Sequence, residues 1–166
     1  KDCLKLLNQP VILGLFIGII LVVGIDVGLN VSIPKYLMLK GDMPLSKAGL
    51  GSSLYFAAKT AGALIGAFIL MHISVKKLYT ITIILAIFSL AYTILVHSLI
   101  GIYFGIFFLG LTISNIFSII YSIAMLKYPN HRNEISGLMM MGIIGGAIIP
   151  LLMGIATDRY GLLFGM

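Results

Sequence analysis

The sequence predicts an all-α fold, a polytopic bundle of helices that cross a membrane, and three observations lead to that prediction. Of the 166 residues, 60% are hydrophobic and only 10% are charged, and the mean hydropathy is +1.15. A soluble domain of this size needs more charge to keep its surface in water. The apolar residues also form long, continuous stretches, whereas the strands of a membrane barrel would alternate polar and apolar residues over about ten positions.

Five of these apolar stretches are long enough to be membrane-spanning helices. About 20 helical residues are needed to cross a hydrocarbon core of about 30 Å. Backbone polar groups find no partner in lipid, so each stretch has to satisfy them within its own helix. The predicted spans cover residues 11–38, 49–73, 79–97, 99–126 and 135–157.

The two ends of the sequence differ from the spans. Residues 1–9 are polar and carry three charged side chains, and the chain starts with Lys rather than Met. Residues 161–166 have the composition of the first turns of a further span. We therefore expect a piece of a longer protein, in which residues 10–166 form one membrane domain.

Proline and serine residues mark the predicted ends of the first two spans. Pro10 suits a helix start, because the N–H that proline lacks is not needed there. Pro34 should kink span one near its end, since it removes a backbone hydrogen bond. Ser46 follows a polar turn and is expected to cap the N-terminus of span two.

Glycines recur in the spans at a spacing of four residues, which puts both members of a pair on one helix face. Such pairs let helix backbones approach closely. In span five they predict close packing and a bend, which we place at Gly142, Gly145, Gly146 and Pro150. The glycine pairs are Gly14 and Gly18, Gly62 and Gly66, Gly101 and Gly105, and Gly142 and Gly146.

Two ionisable residues, Asp26 in span one and Lys59 in span two, lie deep within apolar stretches. A charge in the membrane costs about 2.5–3.5 kcal/mol on insertion scales, so both side chains should face the bundle interior or a cavity. The two spans run in opposite directions, and both residues are displaced from the span centre toward the same side. We expect them at nearly the same depth, either in a structural ion pair or lining one aqueous functional site.

Polar side chains share a helix face with these two charges. Asn30 lies one turn after Asp26, and Tyr55 lies one turn before Lys59. Asn115 in span four offers amide donors and an acceptor, which suit a hydroxyl-rich ligand. Span three carries only scattered polar residues and is expected to be peripheral or lipid-facing. The predicted substrate-binding residues are therefore Asn30, Tyr55, Lys59 and Asn115.

Several classes of function find no support in the residues. One Cys and three well-separated His residues form no metal-binding pattern. The net charge of +6 is not gathered into a basic cluster with interleaved aromatic residues, so no nucleic-acid partner is expected. The sequence holds no phosphate-binding loop, nucleophile elbow or dinucleotide fingerprint, so we expect neither a cofactor nor an enzyme.

The Lys and Arg residues indicate an orientation, because they are more frequent in loops on the cytoplasmic side. With the N-terminal tail inside, six of the eleven lie inside, four lie outside, and Lys59 lies in the membrane. This bias favours a cytoplasmic N-terminal tail.

Two stretches of the chain resemble a known family. Residues 134–154 read Glu-x-Ser-Gly-Leu-Met-x-Met-Gly-Ile-x-Gly-Gly-Ala-x-Ile-Pro-Leu-Leu-Met-Gly. This pattern is similar to the eleventh helix of the fucose permease-like sugar:proton symporters, which belong to the major facilitator superfamily. Asn115-Ile-Phe117 and the seven residues after it resemble that family's tenth helix, and residues 49–56 resemble the start of its eighth.

The resemblance implies that the five spans correspond to helices seven to eleven of a twelve-helix fold. The chain would then be the C-terminal six-helix half, and residues 161–166 would begin the last span. Residues 1–9 would end the cytoplasmic linker between the two halves. The sequence departs from the family pattern at Ser118, where Pro is frequent, and at Lys59, where small residues are common.

Together these features predict secondary active transport of a small polar solute, a sugar moved by proton symport, across a bacterial inner membrane. Asp26 would pair with Lys59 or carry the proton. The expected partners are the solute, protons, membrane lipid and the missing N-terminal half. Two alternatives stay open: an exporter of drugs or metabolites from the same superfamily, and a membrane scaffold or assembly subunit that transports nothing.

Overall fold

The computed structural model describes residues 6–161, and this part of the chain contains helices and turns but no strand. Residues 1–5 and 162–166 lie outside the described residues, as do most of the predicted tail and nearly all of the predicted start of a sixth span. The α-helices run α1 Pro10–Lys40, α2 Leu45–Leu70, α3 Val75–Leu95, α4 Leu99–Ile113, α5 Ile116–Lys127, α6 Arg132–Met141 and α7 Gly145–Tyr160, with short 3-10 turns at Pro129–His131 and Gly142–Ile144.

The predicted all-α bundle of membrane-spanning helices is confirmed for the described residues. Five helical segments are long and apolar enough to cross a membrane. Span four combines α4 and α5, and span five combines α6 and α7. The segments are Pro10–Lys40, Leu45–Leu70, Val75–Leu95, Leu99–Lys127 and Pro129–Arg159.

The start of span two differs from the prediction, and the expectation that Ser46 caps it is wrong. Pro44 occupies the N-cap position with an extended backbone, and α2 begins at Leu45. The Pro44 carbonyl accepts hydrogen bonds from the backbone N–H groups of Lys47 and Ala48, at 2.9 and 3.1 Å. Ser46 is therefore already inside the first helical turn.

The helices pack around α1, which contacts α2, α5 and α7. On one side α4 lies between α2 and α3, and α3 rests chiefly on α4. The buried residues of α3 are only Leu78, Thr82 and Thr93, so this helix lies at the edge of the bundle with most of its surface exposed.

Glycines that were predicted to favour close packing form several of the close helix contacts. A Cβ atom added to Gly66 of α2 would overlap the side-chain amide of Asn115. A Cβ added to Gly145 of α7 would overlap the backbone carbonyl of Ile20 in α1. Gly14, by contrast, has open space where its Cβ would lie. The helices therefore come into close contact at some of the predicted glycines but not at all of them.

Apolar side chains form two separate clusters, one toward each end of the bundle. The cluster at the Lys40 end includes Leu29, Ile33 and Tyr36 of α1. The cluster at the Pro10 end includes Ile12 and Ile19 of the same helix. The segment of α1 between the clusters carries a charged residue, which places the polar groups described below in the middle of the bundle.

Both predicted bending prolines lie inside helices that continue past them. Pro34 is six residues before the end of α1, and Pro150 lies within α7. In span five the α-helix is interrupted instead at the 3-10 turn Gly142–Ile144, and α7 begins at Gly145. The structure therefore places the backbone irregularity of span five at the glycines rather than at Pro150.

Candidate functional site

Asp26 lies at the centre of the polar layer between the two apolar clusters. In the sequence of α1 it lies between Gly24 and Gly28. These two glycines contact α7 so closely that Cβ atoms added to them would overlap Ile149 and Met153. Side chains from the neighbouring α2 supply its polar partners. Its place in the chain, half-way along an apolar helix, is the feature by which the sequence singled it out.

The two carboxylate oxygens of Asp26 have different partners. Oδ1 accepts a hydrogen bond of 2.6 Å from the hydroxyl of Tyr55. Oδ2 contacts the ammonium of Lys59 and forms an ion pair with it. Tyr55 and Lys59 are one turn apart on α2, so a single helix face presents both groups to the carboxylate.

The ion pair is only partly shielded by the chain itself. The side chain of Asp26 is 20% exposed and that of Lys59 is 29% exposed. The two charges cancel, so the cluster carries no net charge when both groups are ionised. An ammonium has three N–H donors, and the bond to Asp26 uses one of them.

Lys59 also lines a groove that opens on the outside of the chain, between α2 and α4. We call it the α2–α4 groove; its volume is about 380 Å³. Small-molecule sites in proteins occupy about 300–1,000 Å³, so the space suits a small solute. Its walls combine a cation, two hydroxyl groups and apolar side chains, namely Phe56, Lys59, Thr60, Ala63, Leu64 and Ser114.

Asn115 lies at a break in span four, between the end of α4 and the start of α5. Its amide nitrogen donates to the backbone carbonyl of Gly62 on α2 at 2.8 Å and to the hydroxyl of Ser114 at 3.0 Å. Ser114 in turn donates to the carbonyl of Leu111 at 2.8 Å. The broken helix is therefore held to α2 by a buried side-chain amide, which leaves both amide protons of Asn115 engaged.

Asn30 meets α2 through its backbone. Ser52 donates a hydrogen bond of 3.3 Å to the Asn30 carbonyl. Asn30 is half-buried and lies one turn beyond Asp26 on α1. This contact belongs to the same α1–α2 interface as the ion pair.

The structure thus divides the four predicted substrate-binding residues. Lys59 lines the α2–α4 groove, and Asn30 is half-buried at the α1–α2 interface. Tyr55 and Asn115 are buried, and each donates a hydrogen bond to a neighbouring helix. Sequence reasoning missed Phe56 and Thr60 as groove residues, because an exposed aromatic and a threonine on a membrane helix give no signal of their own.

The fold and its partly buried ion pair define the class of protein: a polytopic α-helical integral membrane protein. The chain is 32% identical over 136 residues to a Helicobacter pylori (strain J99) protein provisionally named a glucose/galactose transporter, an alignment that covers 80% of this chain and 33% of that protein. It is also 27% identical over 148 residues to the glucose/galactose transporter of Brucella abortus (strain 2308), covering 88% of this chain and 36% of that protein. No family model matches.

The chain therefore spans about a third of the length of the curated relatives that it matches. The aligned part of this chain includes most of the residues that form the five spans. The chain is thus a distant relative of proteins named as sugar transporters.

Proposed function

We propose that the whole protein is a secondary transporter of the major facilitator superfamily that carries a sugar together with protons by alternating access. This chain would supply the C-terminal half, with residues 1–9 as the end of the linker between halves. The names of the relatives support sugar as the solute. The helical bundle supports a membrane carrier, and the resemblance of residues 115–154 to sugar:proton symporters supports the superfamily.

One observation carries the proposal: the Asp26–Lys59 ion pair joins the middle parts of two helices long and apolar enough to cross a membrane, and its Lys59 lines an open groove. Ionisable residues inside membrane spans are costly and usually mark solute or ion pathways. A purely structural pair could be closed off between helices. Here Lys59 contributes to the wall of a space large enough for a small solute.

The charge balance of the cluster favours an uncharged solute. Asp26 neutralises Lys59, so an anion would have to compete with an existing carboxylate for the same ammonium. A sugar hydroxyl needs only a hydrogen-bond donor, and Lys59 keeps N–H groups that Asp26 does not use. In the proposed mechanism Lys59 and Asn30 contact the sugar, while Asp26 takes up and releases the proton.

The proposed setting follows from the same scheme. The protein would lie in a bacterial inner membrane with its N-terminal tail in the cytoplasm, as the Lys and Arg distribution favours. An N-terminal half would close the α2–α4 groove and complete the solute site. Protons, a sugar and membrane lipid would be its partners, and no chemical conversion of the solute is involved.

The test is sugar uptake by the full-length protein in proteoliposomes, with and without an imposed pH gradient. We expect uptake of D-glucose or D-galactose that is stimulated by an inward proton gradient. Asp26→Asn and Lys59→Met should each reduce gradient-driven uptake by roughly tenfold or more, because each leaves a charge in the membrane without its partner. Normal uptake by both variants and by the double variant would show that Asp26 and Lys59 have no role in transport.

A charge-swapped protein, Asp26→Lys with Lys59→Asp, separates transport from a scaffold role. A scaffold needs only the attraction between the two charges, which the swap preserves, so its assembly would survive. A transport site depends on which helix carries the acid, so uptake should stay low while the protein still folds. Outward movement of drugs with no sugar uptake would instead favour the exporter.

A further inference from the structure

Tyr55 is placed where it can touch Asp26 but not a solute in the groove. Its side chain is fully buried and packs in the apolar cluster at the Lys40 end. Its neighbour Phe56 lines the α2–α4 groove, as does Lys59, whereas Tyr55 is not among the residues that line it and its hydroxyl faces Asp26 of α1. The hydroxyl ends 2.6 Å from Oδ1 of Asp26.

The backbone of Tyr55 is also held in place. A Cβ atom at Gly110 of α4 would come within 2.5 Å of the Tyr55 carbonyl oxygen, so the two helices are in close contact there. The ring itself is fully buried in the apolar cluster at the Lys40 end, so its neighbours restrict rotation about its side-chain torsions. Among residues 6–161, the acceptor of the buried Tyr55 hydroxyl is the carboxylate of Asp26.

Both oxygens of the Asp26 carboxylate are therefore held by a partner on α2. Rotation about its terminal torsion, which is soft in an isolated Asp, would break the bond to Tyr55 and the bond to Lys59 together. A hydrogen bond to a charged group contributes more than a neutral one. Tyr55 thus fixes the plane of the carboxylate, and the carboxylate fixes the position of the Lys59 ammonium at the groove wall.

We infer that Tyr55 is a positioning residue for the solute site: it acts on the sugar only through Asp26 and Lys59. This inference rests on the proposed function and refines it, since Tyr55 is removed from the set of direct sugar contacts. Loss of the hydroxyl should weaken sugar binding because Lys59 is no longer held in place. Once Asp26 cannot hold Lys59, loss of the hydroxyl should have no further effect.

The experiment is a double-mutant cycle on the full-length protein, with the Kd for D-glucose as the readout. We expect Tyr55→Phe to raise the Kd roughly 3- to 10-fold in the unaltered background, which is less than the full effect of a lost hydrogen bond to a charged group because the loss reaches the sugar only through Lys59. In an Asp26→Asn background the same change should raise it less than about twofold, because contacting residues are not additive. Equal increases in both backgrounds would mean a direct sugar contact and would overturn the inference, as would no increase in either.

Tyr36→Phe is the matched control. Tyr36 is also buried, and its hydroxyl donates to the backbone carbonyl of Thr93 at 2.7 Å, away from the ion pair. Its loss should lower thermal stability while the Kd for D-glucose stays within about twofold of the unaltered value in both backgrounds. A Kd increase as large as that of Tyr55→Phe would show that general loosening explains both, and the inference would fail.

Two further measurements distinguish a folding defect from a loss of sugar binding. If Asp26→Asn alone does not fold, the background becomes Asp26→Asn with Lys59→Met, which leaves no unpaired charge. If the unaltered protein neither binds nor transports D-glucose or D-galactose, the proposed function fails, and the role of Tyr55 fails with it. If it does transport and the cycle is additive, only the role of Tyr55 is lost.

Discussion

Ser52 of α2 donates a hydrogen bond of 3.3 Å to the backbone carbonyl of Asn30 in α1. That carbonyl lies four residues before Pro34, which has no N–H to offer it. In a membrane an unpaired carbonyl is costly, and a hydroxyl from a neighbouring helix is one of the means of satisfying it. The Ser52 hydroxyl therefore replaces the hydrogen-bond donor that Pro34 lacks, and α1 continues past Pro34 to Lys40.

Replacing Ser52 with Ala should destabilise the protein modestly. The Asn30 carbonyl would lose its hydroxyl partner, and interhelical hydrogen bonds of this kind contribute on the order of 0.5–1.5 kcal/mol. Thermal unfolding of the detergent-purified full-length protein measures the change. Ser53→Ala is the control, because the exposed Ser53 hydroxyl bonds to the Gly49 carbonyl of its own helix, at 3.4 Å. Equal losses in the two variants would argue against a special role for the Ser52 contact.

Gly145→Ala should weaken the contact between α1 and α7. Its new methyl group would meet the Ile20 carbonyl, which belongs to the backbone and cannot rotate away. Overpacking of this kind costs about 1–3 kcal/mol, which thermal unfolding should report as a lower midpoint. Gly154→Ala on the same helix has open space and should leave the midpoint unchanged. A stable Gly145→Ala protein would show that the two helices can separate without loss.

Asn115→Ala should destabilise the break in span four. The variant loses the bond to the Gly62 carbonyl and the bond to Ser114, and it leaves space beside Gly66. We expect a cost on the order of 1–3 kcal/mol from two lost hydrogen bonds in a buried position. Ser118→Ala lies in the same span at an exposed position and provides the comparison. The prediction fails if both variants unfold at the same temperature.

The Asp26–Lys59 pair should show strong coupling in stability. Asp26→Asn and Lys59→Met each leave one unpaired charge, at a cost of about 1–3 kcal/mol for a pair that is partly exposed. The double variant carries no charge at this depth and should be more stable than either single variant. The readout is again thermal unfolding, now for all four proteins of the cycle. Additive losses would mean that the two side chains do not meet in the membrane.

Long apolar stretches made the five spans predictable, because membrane thickness fixes the length that a helix needs. The depth of Asp26 and Lys59 followed from counting residues along two antiparallel helices, and the structure brings them into contact. Those two results depend only on position along a helix, which the sequence gives directly.

The remaining features depend on which helix faces which, and a single sequence does not contain that information. Ser and Asn are favoured at helix caps, but apolar residues continue on both sides of Ser114 and Asn115, so the sequence did not distinguish a break from one continuous span. The donation of Tyr55 to Asp26 rather than to a solute follows from the rotation of α2 about its axis. The partner of the Asn30 carbonyl likewise became visible only when α1 and α2 were placed side by side.

The open side of the α2–α4 groove limits what can cover it in the membrane. Hydrocarbon tails carry no acceptor for the N–H groups that Lys59 retains. If lipid tails covered this surface directly, the Lys59 ammonium would face hydrocarbon. The surface that closes the groove must bring oxygen atoms of its own, whether from a second wall of protein or from a column of water.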